Sequence, residues 1–151
     1  MRALTLPALA AVCLTLSISA HAEELKKNVG TEKVAKGIAW ETEFEKALTT
    51  AKEKNQPLLL YVSMEGCHYC DKMDRETYSN KGVASDVTKS FVAVKVKRNQ
   101  AQHLVRRYGV NIYPTTVIIH PESRRVETIR GFVGPSQLKS RLAGIRDTIR
   151  R

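Results

Sequence analysis

The feature that most restricts the fold of this chain is a short apolar segment followed closely by two cysteines. Residues 58–62 form a continuous apolar run between Pro57 and a turn at 64–66. A run of this length in this setting predicts a strand buried inside a parallel sheet. Cys67-His68-Tyr69-Cys70 follows at once. The cysteines are therefore expected at the carboxyl edge of a sheet, where α/β proteins place their sites.

The rest of the chain alternates between helical and strand patterns. Phe44, Ala47, Leu48 and Ala51 recur at the spacing of one helical stripe. A β-α-β unit followed by a β-β-α unit is the simplest assembly of the predicted elements. We therefore predict an α/β fold, a central mixed sheet flanked by helices in a single domain. The further predicted helices cover 71–78, 83–89, 100–108 and a segment from about 136; the further strands cover 91–96, 115–119 and 126–130.

The first 22 residues are typical of a secretory signal peptide. Arg2 precedes an uncharged, mostly apolar stretch over residues 4–18, and Ala20-His21-Ala22 fits the small-x-small cleavage pattern. We predict cleavage after this segment and export of the remainder. A retained membrane anchor is the alternative, but Pro7 and the scattered hydroxyl residues weaken a stable span.

Cleavage would leave a chain with only two cysteines. Cys13 lies inside residues 1–22, so Cys67 and Cys70 are the pair that remains. One close pair in an exported protein suits redox chemistry better than a disulfide framework. Residues 23–39 are predicted to be a flexible lead-in, and residues 40–151 the folded domain.

The chain is strongly basic, with a formal charge of +10. Arg2 is the only Lys, Arg, Asp or Glu in residues 1–22, so the predicted mature chain carries +9. The basic residues are spread over several segments and do not interleave with aromatic residues, so we predict no nucleic-acid binding. A solvated basic surface is the simpler interpretation.

A CxxC pair at the start of a helix supports asymmetric thiol chemistry. The free N–H groups of the first turn favour thiolate over thiol, which makes Cys67 the expected nucleophile. Cys70, one turn further in, would resolve the mixed disulfide. His68 carries a charge near neutral pH and could stabilise the Cys67 thiolate, or it could be a solvent-facing spacer. Tyr69 could line a peptide site or simply lie at the surface.

Two other uses of the pair stay open at this point. A structural zinc site needs four ligands, and the chain offers one cysteine pair with His68, His103 and His120 in unrelated segments. We predict no metal. A purely structural disulfide would bridge a span that helix formation already fixes. Covalent haem attachment is excluded, because Asp71 stands where a histidine would be required.

From Trp40 onwards the residues resemble the thioredoxin superfamily. The resemblance rests on the strand that leads into Cys67-His68-Tyr69-Cys70 and on Tyr113-Pro114-Thr115, just before a later strand. It implies a thioredoxin-like fold in which Pro114 is cis and lies against the active-site disulfide. It also implies that Tyr113, Pro114 and Thr115 bind an extended substrate, with Tyr113 facing it.

The first residues of the predicted domain, from Trp40 to Ala47, and the run Asn55-Gln56-Pro57 most resemble the exported thioredoxin-like proteins of bacterial envelopes. Lys95 matches the strand lysine that thioredoxins place near a buried carboxylate. Tyr61 occupies the position of that carboxylate, the family's proton acceptor for the resolving thiol. The resemblance therefore leaves Glu65, His68 or water for this role. Gly66 replaces the tryptophan common before the first cysteine.

Together these observations predict a periplasmic thiol–disulfide oxidoreductase that reduces protein disulfides with no cofactor besides the Cys67–Cys70 disulfide. The expected partners are protein thiols and disulfides and a membrane electron-donor protein, with the chain itself a monomer. A disulfide oxidase or isomerase, a non-catalytic adaptor of thioredoxin fold and a metal-delivery protein are the alternatives.

Overall fold

The computed structural model of the chain describes residues 37–123 and 125–149. The predicted signal peptide and residues 23–36 of the predicted lead-in lie outside the described residues. Within them the order of elements is that of the sequence prediction. The helices are α1 (Phe44–Glu53), α2 (His68–Lys72), α3 (Lys81–Ser90), α4 (Gln102–Arg107) and α5 (Pro135–Ile149), and the strands are β1 (Leu58–Ser63), β2 (Val92–Lys97), β3 (Thr115–Ile119) and β4 (Val126–Arg130).

The four strands form one mixed sheet in the order β2-β1-β3-β4. β1 pairs with β2 in parallel and with β3 in antiparallel orientation, and β3 and β4 form an antiparallel hairpin. Glu41 adds a single parallel bridge to Val94 at the outer side of β2. This arrangement confirms the predicted central mixed sheet flanked by helices.

The central strand β1 is buried at every position, because helices cover both faces of the sheet. Side chains of a strand alternate between the two faces. Leu58, Leu60 and Val62 pack on one side with residues of α1 and α4. Leu59 and Tyr61 pack on the other side with residues of α3 and α5. Burial on both faces explains why β1 reads as an unbroken apolar run rather than as an alternating pattern.

Residues 71–78 are helical as predicted, as the end of α2 and a π-helical segment, Met73–Tyr78. The helix begins earlier than residue 71, at His68, so Cys67 stands at the helix start, as expected for the CxxC pair. The next helix starts where Asn80 caps it, since the Asn80 Oδ1 accepts hydrogen bonds from the N–H groups of Gly82 and Val83. Within the described residues, no helix is both long enough and apolar enough to cross a membrane.

Candidate active site

Three loops meet at one edge of the sheet. Ser63 at the end of β1 is paired with Lys97 at the end of β2, and Val62 is paired with Thr115 at the start of β3. The loop after β1, the loop after β2 and the loop before β3 therefore lie side by side. The two cysteines are in the first of these loops and the first turn of α2, and Tyr113 and Pro114 are in the third.

Cys67 caps the amino terminus of α2 and is bonded to Cys70 in a disulfide. Gly66 has φ of +66°, a left-handed conformation that favours glycine and reverses the chain before the helix. The Cys67 Sγ accepts a hydrogen bond from the Cys70 N–H at 3.1 Å. Cys67 is 9% exposed and Cys70 2%. Cys67, the residue at the helix start, is thus the more exposed of the two cysteines.

The proline loop is fixed by hydrogen bonds on both sides. The Tyr113–Pro114 peptide bond is cis, as the resemblance implied. The Thr115 hydroxyl donates to the Ile112 carbonyl oxygen at 2.6 Å, and the Gly131 N–H donates to the Pro114 carbonyl oxygen at 2.8 Å. Pro114 and Thr115 are buried, whereas Tyr113 is partly exposed. The substrate-binding role of these three residues stays a prediction.

An aromatic cluster lies behind Cys70. The Tyr61 hydroxyl donates to the Cys70 carbonyl oxygen at 3.2 Å. The Tyr61 ring lies 4.8 Å from that of Tyr78 and 5.8 Å from that of Trp40, measured between centroids. Burial raises the pKa of the Tyr61 hydroxyl far above its ordinary value, and the charge of Asp74 raises that pKa further. Tyr61 therefore stays protonated and serves as a hydrogen-bond donor.

A carboxylate does stand beside this cluster, although it does not come from the strand. The Asp74 Oδ2 lies 2.7 Å from the Lys95 Nζ, and that ammonium lies 5.3 Å from the centroid of the Tyr61 ring. Sequence reasoning missed Asp74, because it looked for a replacement acid only at Glu65 and His68, next to the cysteines in sequence. The available signal was the spacing of four residues from Cys70, which places side chains on neighbouring turns of a helix.

Glu65 and His68, the residues expected to replace the missing acid, form contacts that do not include the Asp74–Lys95 pair. Glu65 is exposed, and its carboxylate lies 3.4 Å from the Lys97 Nζ. His68 is exposed, and its ring packs edge-on against that of Tyr69 at 5.6 Å between centroids. Among the hydrogen bonds of the described residues, neither Glu65 nor His68 contacts either cysteine. Lys95, by contrast, lies where the resemblance implied, near a carboxylate.

The described part of the chain contains no group of three or more His, Cys, Asp or Glu side chains arranged to hold a metal ion. His103 lies on α4 and is exposed, while His120 follows β3 and is buried. The histidines considered as extra ligands are thus in separate elements.

Comparison with known proteins identifies the family. Residues 44–145 match the family model described as a thioredoxin-like domain, which covers most of the chain. The chain belongs to this family. The matched region includes the cysteines, the proline loop and the Asp74–Lys95 pair. The Cys67–Cys70 disulfide therefore lies within a thioredoxin-like domain, at the start of the helix that follows its central strand.

Individual proteins share the fold or part of the sequence of this chain. A thioredoxin from Thermus thermophilus shares 25% identity at a TM-score of 0.62, covering 72% of this chain and 87% of that one. A solved structure described as DsbH oxidoreductase has the same fold, with 20% identity, a TM-score of 0.67 and coverage of 78% and 91%. An uncharacterized protein of Caenorhabditis elegans, B0495.5, is 29% identical over 93 residues, or 56% of this chain. The chain spans only 13% of the length of that relative.

Proposed function

We propose that this chain is an exported, periplasmic reductase of protein disulfides. The observation that carries the proposal is the asymmetry of the Cys67–Cys70 pair. Cys67 lies at the helix start with an N–H group directed at its sulfur, while Cys70 is almost fully buried. An accessible, stabilised thiolate attacks a substrate, and a shielded second thiol can react only within the complex.

The reaction proceeds in two exchange steps from the dithiol form. The Cys67 thiolate attacks one sulfur of the substrate disulfide, forms a mixed disulfide and releases the first substrate thiolate, which takes up a proton. The Cys70 thiol then loses its proton and attacks the Cys67 sulfur. The second substrate thiolate leaves, and the Cys67–Cys70 disulfide forms. The substrate gains the two electrons that the enzyme dithiol loses.

The Asp74–Lys95 pair sets the electrostatic environment behind Cys70 in this proposal. Tyr61 connects the two, since its hydroxyl contacts the Cys70 backbone and its ring lies beside the Lys95 ammonium. The pair supplies one negative and one positive charge on the side of the helix where the family's buried acid would lie. Loss of either charge changes the ease with which the thiols ionise.

The proposed compartment rests on the amino-terminal sequence, and the compartment determines that a reductase needs an electron donor. Residues 1–22 have the charge, apolar stretch and cleavage pattern of an export signal. The periplasm is kept oxidising, so a reductase there must receive electrons from a membrane donor protein. Cell fractionation tests the compartment: the proposal predicts a periplasmic protein that begins at Glu23. A cytoplasmic protein with intact residues 1–22 would refute it.

A single-turnover assay with the two serine variants tests the mechanism. Cys70→Ser should accumulate a stable mixed disulfide with a disulfide-bonded test protein such as insulin, because the nucleophile remains and the resolving thiol is gone. Cys67→Ser should accumulate far less, although the two variants have the same composition. Equal trapping by both variants would contradict the assigned roles. Intact reduced protein should release insulin thiols, and failure to do so would refute the reductase function.

A further inference from the structure

Arg98 places a positive charge beside the loop that leads into Cys67 and beside the proline loop. It is the first residue after β2, and its N–H donates to the Ser63 carbonyl oxygen at 2.8 Å. This bond holds the Arg98 backbone against the end of β1, at the sheet edge where the three loops meet. The Arg98 side chain is exposed.

The guanidinium of Arg98 spans two of these loops. Its Nη1 lies 3.7 Å from the Met64 Sδ, in the loop that leads into Cys67. Its Cζ lies 5.9 Å from the centroid of the Tyr113 ring, in the proline loop. A guanidinium stacked on an aromatic face keeps its N–H groups free at the edges. The Arg98 guanidinium therefore lies between the loop that leads into Cys67 and the proline loop.

Two lysines in the elements around the disulfide lie close to carboxylates. Lys97 is paired with Glu65, and Lys72 lies 4.0 Å from the Glu76 carboxylate and 4.7 Å from the Phe132 ring centroid. Arg98 differs from these lysines, since none of the ion pairs of residues 37–123 and 125–149 includes it. The acidic Asp71 belongs to α2, on the helix side of the disulfide, whereas Tyr113 holds Arg98 on the proline side.

Exposed apolar side chains complete the surface. Ile112 in the proline loop is 48% exposed and Tyr69 between the cysteines is 58% exposed. They are two of the three large apolar side chains recorded as exposed in the described residues. A partner segment lying across the disulfide would thus meet apolar contacts and, on the proline side, the Arg98 guanidinium, which forms no ion pair with the described residues.

We propose that Arg98 selects substrates that carry a carboxylate side chain close to the cysteine under attack. The inference rests on the proposed function and names its substrate class, an extended acidic segment of a disulfide-bonded protein. A planar guanidinium binds a carboxylate through paired N–H donors, so the contact is directional as well as electrostatic. The acidic side chain docks on Arg98 while the neighbouring disulfide lies at Cys67.

The test uses fluorogenic disulfide peptides that are identical except for Glu, Gln or Lys at one position near the reactive cysteine. The reduced protein should reduce the Glu peptide with a kcat/KM about two- to fivefold above that of the Gln peptide at low salt, the range of an exposed ion pair. The Lys peptide should be slowest. In about 0.5 M salt the preference should shrink, because the exposed pair is screened.

Single variants distinguish the effect of Arg98 from the effect of the protein's overall positive charge. Arg98→Gln should bring the Glu-to-Gln ratio close to one, and Arg98→Lys should keep part of the preference. Arg141→Gln removes an exposed arginine on α5 and should leave the ratio unchanged. Equal rates for the three peptides with the unaltered protein, or a preference that survives Arg98→Gln, would overturn the inference. A protein that reduced none of the peptides would refute the proposed reductase function instead.

Discussion

Reducing the Cys67–Cys70 disulfide should produce two thiols of very different reactivity. The hydrogen bond from the Cys70 N–H to the Cys67 sulfur measures 3.1 Å. A hydrogen bond to a charged group contributes about 1.5–3 kcal/mol, and the helix terminus adds about 0.3–1 kcal/mol. Because about 1.4 kcal/mol corresponds to one pH unit, alkylation of Cys67 should reach half its maximal rate about 1–3 pH units below an unperturbed thiol.

Iodoacetamide labelling of the reduced protein across pH, followed by mass spectrometry of tryptic peptides, measures each thiol separately. A singly labelled species carrying the label on Cys67 should accumulate, because Cys70 is only 2% exposed. Labelling in concentrated urea is the control, since both thiols should then react at similar rates with an ordinary pH profile. Equal labelling of Cys67 and Cys70 in the folded protein would refute the asymmetric mechanism, as would a Cys67 profile that matches the one in urea.

Three further perturbations test other parts of the structure. Tyr78→Phe removes a buried 2.7 Å hydrogen bond to the Thr116 hydroxyl and should lower the free energy of unfolding by about 1–3 kcal/mol in urea titrations. Burial lowers the pKa of His120, so the unfolded chain binds the proton more readily than the folded one. The free energy of unfolding should therefore fall as the pH drops below about 6.5, and it should fall less in His120→Gln. Asp74→Asn removes a negative charge behind the cysteines, which favours the thiolate form of Cys67. The Cys67 alkylation profile should shift to lower pH by a few tenths of a unit, which corresponds to about 0.5 kcal/mol.

Each of these changes has a matched control. Tyr69→Phe alters an exposed tyrosine and should leave stability unchanged. His103→Gln alters an exposed histidine and should retain the full loss of stability in acid. Lys95→Met removes the opposite charge of the ion pair and should shift the alkylation profile to higher pH. Shifts in the same direction for Asp74→Asn and Lys95→Met would contradict the electrostatic account.

The sheet could be predicted from the sequence because its central strand is buried on both faces. Residues 58–62 lack the alternation of a half-exposed strand, and burial of the strand on both faces accounts for that pattern. The hairpin of β3 and β4 was equally predictable, from a turn between two short strand patterns. The start of α2 was less clear, because cysteine is an uncommon helix cap and its sulfur accepts the capping hydrogen bond here.

The pairing of distant charges could not be read from the sequence in the same way. Asp74 and Lys95 are 21 positions apart, and their contact depends on how the π-helical segment after α2 packs over the sheet. Arg98 appeared as one of many scattered basic residues. Its place at the site follows from the register of β1 and β2, which aligns Ser63 with Lys97 and so brings the next residue to the active edge.

The reduction potential of the Cys67–Cys70 pair, equilibrated against glutathione buffers, tests the central claim most directly. A disulfide reductase predicts a value near or below about −230 mV, the range of thioredoxins and glutaredoxins. A value between about −180 and −120 mV, typical of disulfide isomerases and oxidases, would contradict the proposed direction of electron flow.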